Sequence, residues 1–141
     1  MANFVTNAFR NGILGSHATR VDLDADTIKP FFVDAADDVP LVTDDFLDDI
    51  LSAGRVPAIG SAPALASKTI GTVAVGVFDA ADAVFTALTG DQVEWLVLAK
   101  STGADATSDL ICAWDTITGL PLTPNGADVT LVFAAGGILT A

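Results

Sequence analysis

Tyrosine does not occur in these 141 residues, and cysteine, methionine, histidine and glutamate occur once each. With Cys112 as the sole thiol no intrachain disulfide can form, and its place inside an apolar run marks it as a small buried hydrophobe. The lone His17 has no Cys or second His beside it, so it reads as an incidental loop residue rather than a ligand or a base. Cations are scarce as well. Six Lys plus Arg against 18 acids leave a net charge of -12. Phosphate neutralisation needs clustered Lys and Arg, so nucleic acid is excluded as a partner and anionic membrane surfaces are disfavoured. No apolar run approaches the roughly 18 residues of a membrane span, and no basic stretch followed by an apolar run opens the chain; synthesis in the cytoplasm without secretion is expected. The sequence has no G-x-S-x-G, P-loop or dinucleotide fingerprint and no Cys or His cluster. That leaves Asp, Ser and Thr for acid–base and nucleophilic work. No enzyme is expected, and no cofactor or metal site.

What the chain does have is aspartate. Seventeen of its acids are Asp. Glu favours helix interiors and Asp favours turns and caps, so the acids are expected in loops and at helix starts. Alongside this charge the chain is 51% hydrophobic, rich in Ala and Val. Part of that apolar surface is expected to be buried against other chains.

Taken in order, residues 2–16 give a short helical stripe through Phe4, Val5, Ala8, Phe9 and Leu14, with Asn3 as cap and Gly12 or Gly15 as stop. Residues 1–20 are therefore read as an N-terminal arm or short helix, and residues 21–141 as a single β-rich domain. Asp22, Asp24 and Asp26 have the spacing of the first three EF-hand ligands, but Thr27 stands where Gly is required and Val33 where Glu is, so a solvated acidic turn is preferred to calcium binding. A strand follows over 27–34, with Pro30 placing it at an edge or making it irregular at that point. Thr43 or Asp44 can cap a short helix that buries Phe46, Leu47, Ile50 and Leu51, and whose aspartates form a solvated face rather than an acid–base pair. Residues 54–67 form a Pro- and Gly-rich surface loop, and 68–77 opens the strand-rich half, with Gly71 and Gly76 weakening a regular strand and pointing to bulges or close backbone approach. A further strand is expected at 84–87, a reversal at Asn125-Gly126 and a last strand over 129–134. The apolar end at Ile138 and Leu139 suits a sheet or a partner.

The stretch 91–115 organises the rest. Val93, Trp95, Val97 and Ala99 fall on one side of a strand, while Leu96 and Leu98 on the other side are equally apolar. Neither face is built for water. Residues 110–114 behave alike, and the Ser-, Thr- and Gly-rich segment between them reads as a long hairpin connection. The pattern predicts a mainly β fold, a sandwich or barrel-like arrangement with one or two short helices, centred on this hairpin and covered on both faces by a second sheet, a helix or a neighbouring subunit. Trp95 and Trp114 at strand positions are read as core rather than sugar platforms. Phe4, Phe9, Leu96, Leu98, Ile138 and Leu139 are the residues expected to meet other chains.

Five segments in succession carry a resemblance: LDADTIKPFF at 23–32, DDFLDDI at 44–50, DAADAVFTAL at 79–88, the hairpin VEWLVLAKSTG…SDLICAWD, and the closing NGADVTLVFAAGGILTA. Together they resemble a family of small virion proteins encoded in the structural-gene blocks of tailed bacteriophages, similar to head decoration or cement proteins. The chain departs from that pattern at Pro30 and in lacking aromatic residues at Thr86-Ala87-Leu88 and before Lys100. The resemblance implies a non-catalytic protein on the capsid surface of the virion, with the major capsid protein and copies of itself as partners. A tail, neck or fibre component, or a calcium-dependent carbohydrate-binding module, are the alternative readings.

Overall fold

The computed structural model describes residues 3–15 and 21–140. Ten strands and one short helix succeed one another: β1 (Phe4–Val5), α1 (Asn7–Ile13), β2 (Ile28–Val33), β3 (Arg55–Val56), β4 (Thr69–Ile70), β5 (Val77–Asp79), β6 (Ala83–Phe85), β7 (Trp95–Lys100), β8 (Leu110–Trp114), β9 (Val129–Leu131) and β10 (Leu139–Thr140). The fold is mainly β, and among the described residues no sheet closes into a barrel. A five-stranded antiparallel sheet, ordered β1-β8-β7-β2-β3, forms its centre; a three-stranded sheet, β10-β5-β4, and a two-stranded one, β6-β9, complete it.

The expected hairpin is there, and the structure shows what covers it. Leu96 and Leu98 point into one core, with Phe32, Ile28 and Ile111 from the central sheet and Phe78, Phe85 and Leu131 from the small sheets. Trp95, Val97 and Ala99 point into a second core, which Phe31, Val33, Leu110 and Ala113 share with Leu47, Ile50 and Ala62 from the long loops. The central sheet is thus a wall between two cores. Leu110 and Ala113 stay on the second side because the ladder slips between Leu98 and Ala99, where Leu98 faces Cys112 but Ala99 faces Leu110. Ile111 is the extra residue, and it joins Cys112 on the first side. Cys112 is fully enclosed there, and burial pushes its thiol pKa far above the ordinary range.

Three of the residues expected to meet other chains are core: Leu96 and Leu98 have no exposed surface, and Phe9 keeps only 7% of its own. Phe4 is half-buried with its ring 6.0 Å from that of Trp95. The N-terminal segment is woven into the main sheet. Phe4 and Val5 pair with Ala113 and Cys112, and the α1 cap is Thr6, whose Oγ1 accepts from Phe9 N–H and donates to Leu110 O. Asn3 instead donates to Thr116 Oγ1 at 2.5 Å and accepts from Asp115 N–H. His17, and the end of the expected helical stretch at Ser16, lie outside the described residues.

Pro30 sits in β2 with strands on both sides of that element. It is tolerated for a geometric reason. Thr27 and Val33 give their carbonyls to Ser101 and Glu94 on the β7 side, so alternate residues, Pro30 among them, turn their backbone the other way. There β3 pairs only with Phe32 and Val33, leaving no ladder bond at Pro30 to lose.

The expected helix over 44–51 is corrected to a single 3-10 turn, Leu47–Asp49. Only Leu47 and Ile50 are buried, while Leu51 is 58% exposed. The backbone here is bonded across to another segment instead: Phe46 bridges Asp109, Leu47 N–H donates to Ser108 O and Leu110 N–H to Asp45 O, while Asp49 Oδ2 caps the turn by accepting from the N–H groups of Asp45 and Phe46, and Asp44 Oδ2 accepts from that of Leu41. The segment 68–77 is likewise two strands rather than one bulged strand. Gly71 and Gly76, both at positive φ, turn the chain between β4 and β5.

Candidate functional site

An open, mainly apolar groove of about 700 Å³ runs across the first-core side of the molecule. Its floor is Phe32 and Leu96, one wall is Trp114 with the loop from Ile117 to Leu122, and the other is the strand region Val129–Ala134; Gly137 and Ile138 close one end. Local bonds dictate each part. Asn3 fixes the chain beyond Trp114, and Val93 and Leu122 exchange N–H···O bonds of 2.8 and 2.9 Å that hold the loop down. Gly126, at φ +86, donates to Leu88 O at the reversal predicted from Asn125-Gly126. The chain then runs antiparallel to β6 in the register Ala83–Leu131, Val84–Thr130 and Phe85–Val129. Beyond the ladder, Asp82 Oδ1 accepts from Phe133 N–H at 2.9 Å. At the closed end Ile138 N–H bonds Phe78 O at 2.8 Å. Gly137 is obligatory at that turn: its φ is +98, and a Cβ there would overlap Val77.

The charged residues next to the groove lining in sequence are acidic, Asp115 after Trp114 and Asp128 before Val129. Residues 101–141 contain no Lys or Arg and four Asp, namely Asp105, Asp109, Asp115 and Asp128. Asp82 and Asp128 flank the β9 wall, each spending one oxygen on a backbone N–H, that of Phe133 and that of Ala87. Four of the cations are engaged elsewhere. Lys29 Nζ donates to Ile59 O, Lys68 Nζ to Asp26 O, Lys100 Nζ lies 3.1 Å from Asp26 Oδ2, and Arg55 Nη2 lies 2.6 Å from Asp105 Oδ2. The Arg55 guanidinium holds the Asp105 carboxyl below its usual range.

Of the residues expected to meet other chains, Leu96 and Ile138 line this groove, Leu96 from beneath. Leu139 lies in β10, paired with Phe78 and partly buried against the first core. The apolar end of the chain is therefore held by a sheet. Trp95 is core, whereas Trp114 is half-buried and forms part of the groove wall. The sequence reading missed Leu120, Thr130, Val132 and Phe133 as lining residues. The run VTLVFA signalled a strand, and nothing in it signalled which edge would stay open.

The acidic triplet is occupied with its own turn. Asp22 Oδ1 accepts from Ala25 N–H, and Asp26 Oδ2 accepts from Asp22 N–H. A hydrogen bond between the Asp22 and Asp24 carboxyls lowers the pKa of the first and raises that of the second. Among the described residues no group of three His, Cys, Asp or Glu side chains is arranged to hold a metal ion. At Asp44, partial burial raises the carboxyl pKa despite its bond from Leu41, with Asp49, Asp38 and Asp45 adding repulsion. No helix among the described residues is long and apolar enough to cross a membrane. Neither the protein-family models nor the curated proteins contain a match to this sequence.

Proposed function

We propose that this chain is a non-catalytic structural protein of a tailed-bacteriophage virion, a head decoration protein that binds the outer surface of the capsid and reinforces it. The observation that carries the reading is the groove. An open apolar channel of about 700 Å³, walled by a strand and a loop, offers contact area for a polypeptide, and its few polar groups suit neither a reacting centre nor the hydroxyls of a sugar. The resemblance of the five sequence segments supplies the setting: the major capsid protein as partner, copies of the chain on neighbouring lattice sites, and the capsid surface as location. An acidic exterior of net charge -12 keeps such a protein soluble before it attaches.

A tail, neck or fibre component could use the same groove, and stoichiometry separates the two. Quantitative gel or mass-spectrometric counting on purified virions should find hundreds of copies per particle. A dozen or fewer would rule out decoration in favour of a tail or neck position.

A further inference from the structure

The six consecutive positions Val129–Ala134 all line the groove. A strand that offered a face to the groove would contribute every second residue, so the channel runs along the edge of the strand. Among the described residues β9 pairs with β6 alone, so its second edge has no partner strand. Thr130 and Val132 are exposed on this stretch, Val132 by 67%. An unpaired edge beside an apolar channel has the geometry that receives an added strand, whose backbone completes the ladder and whose alternate side chains enter the channel. The three residues of β9 at about 3.3 Å each make a ladder roughly 10 Å long, and Val132–Ala134 continue the groove wall beyond it.

Charge selects the occupant. A second copy would bring the same -12 charge to an acidic rim. Two stretches hold two cations each and no acid, residues 1–20 with Arg10 and Arg20 and residues 50–78 with Arg55 and Lys68. In the described part of the first, Phe4–Val5 is β1 and Phe9 of α1 is core; in the second, Arg55 is paired with Asp105 and Lys68 donates to Asp26 O. We infer that the groove receives an extended, alternating apolar segment flanked by Lys or Arg, contributed by a different protein and added as a strand beside β9. The inference rests on the reading of the chain as a capsid-binding protein, in which that segment belongs to the shell.

Trp114, in the groove wall, reports binding by its emission, and the isolated full chain suffices. The probe is a synthetic peptide of alternating Val and Thr closed at each end by two Lys. It should bind at least about tenfold more tightly than the same peptide closed by Glu, with the gap narrowing as salt is raised. It should also outbind, by a similar factor, a version with Pro at alternate positions, which cannot complete the ladder. Val132→Arg should weaken the Lys peptide by about tenfold while leaving the melting curve unchanged, because Val132 is largely exposed. Equal affinity for all three peptides, or no binding by any, overturns the inference. Virions keep the two readings apart. Where wild-type copies number in the hundreds, loss of V132R from particles supports the groove and full retention overturns it while decoration stands. A dozen or fewer wild-type copies sinks decoration, and the peptide titration still decides the groove.

Discussion

Leu98→Ala tests the claim that both faces of β7 are interior. Leu98 has no exposed surface and lies in the core shared with Phe32, Phe85 and Ile111. The substitution removes three carbons, worth about 2.4 kcal/mol of transfer free energy at roughly 0.8 kcal/mol each. The space left between two sheets collapses only in part, so the total should fall near 3 kcal/mol, inside the range of about 2.7–5 seen for buried Leu→Ala changes. In urea, with a slope of roughly 2 kcal/mol per molar, the unfolding midpoint should drop by about 1.5 M. Val97→Ala removes two carbons on the opposite face and should cost about 1.6 kcal/mol. A loss below about 0.5 kcal/mol at either position, with the fold intact, would show that face to be surface and would refute the two-core description.

Three further changes probe separate parts of the structure. Arg55 holds the Asp105 pKa down, so this contribution to stability is present above the unfolded carboxylate pKa of about 3.9 and is lost as pH falls through the lower folded value. Asp105→Asn should flatten the acid limb of a stability–pH curve and cost about 1 kcal/mol at neutral pH, a small value because the Asp105 side chain is 32% exposed; an unchanged acid limb would count against the pair. Gly137→Ala meets both a positive φ and the Val77 side chain, so it should cost about 2 kcal/mol, lower the melting temperature by about 5 °C, and speed proteolysis of the last residues; an unaltered melt would refute the close approach. Millimolar calcium should move the melting temperature by less than about 1 °C, since Asp26 already serves Asp22 N–H and Lys100; a rise of several degrees would reinstate the acidic triplet as a site.

Much of the fold could be read in advance because its largest signal is chemical monotony. Residues 95–99 are apolar on both sides, and only a doubly covered strand satisfies that. The preference for Asp was legible too. Asp34, Asp38, Asp44, Asp49, Asp82 and Asp128 all accept backbone N–H bonds outside regular helices and strands, which a carboxylate on a one-carbon arm does well. At 44–51 apolar spacing suited a helix, but the backbone around Phe46 bonds Ser108 and Leu110, distant in sequence, and no local pattern announces that pairing. Pro30 pointed to an edge by composition, yet parity decides, and parity is known only once the neighbours are. The groove was beyond reach for a related reason. It joins Phe32, Leu96, Trp114 and the region after Ile117, which come together through sheet order rather than through any local pattern.

The shared wall between the cores bears on how the molecule comes apart. Each strand of the β7–β8 pair belongs to both interiors, so neither interior can loosen while the other keeps its boundary. Unfolding should then be one event. The chain carries its own pair of reporters for this, Trp95 in one compartment and Trp114 beside the other. A half-melted species, with one greasy interior open to solvent, would have almost no population in such a design.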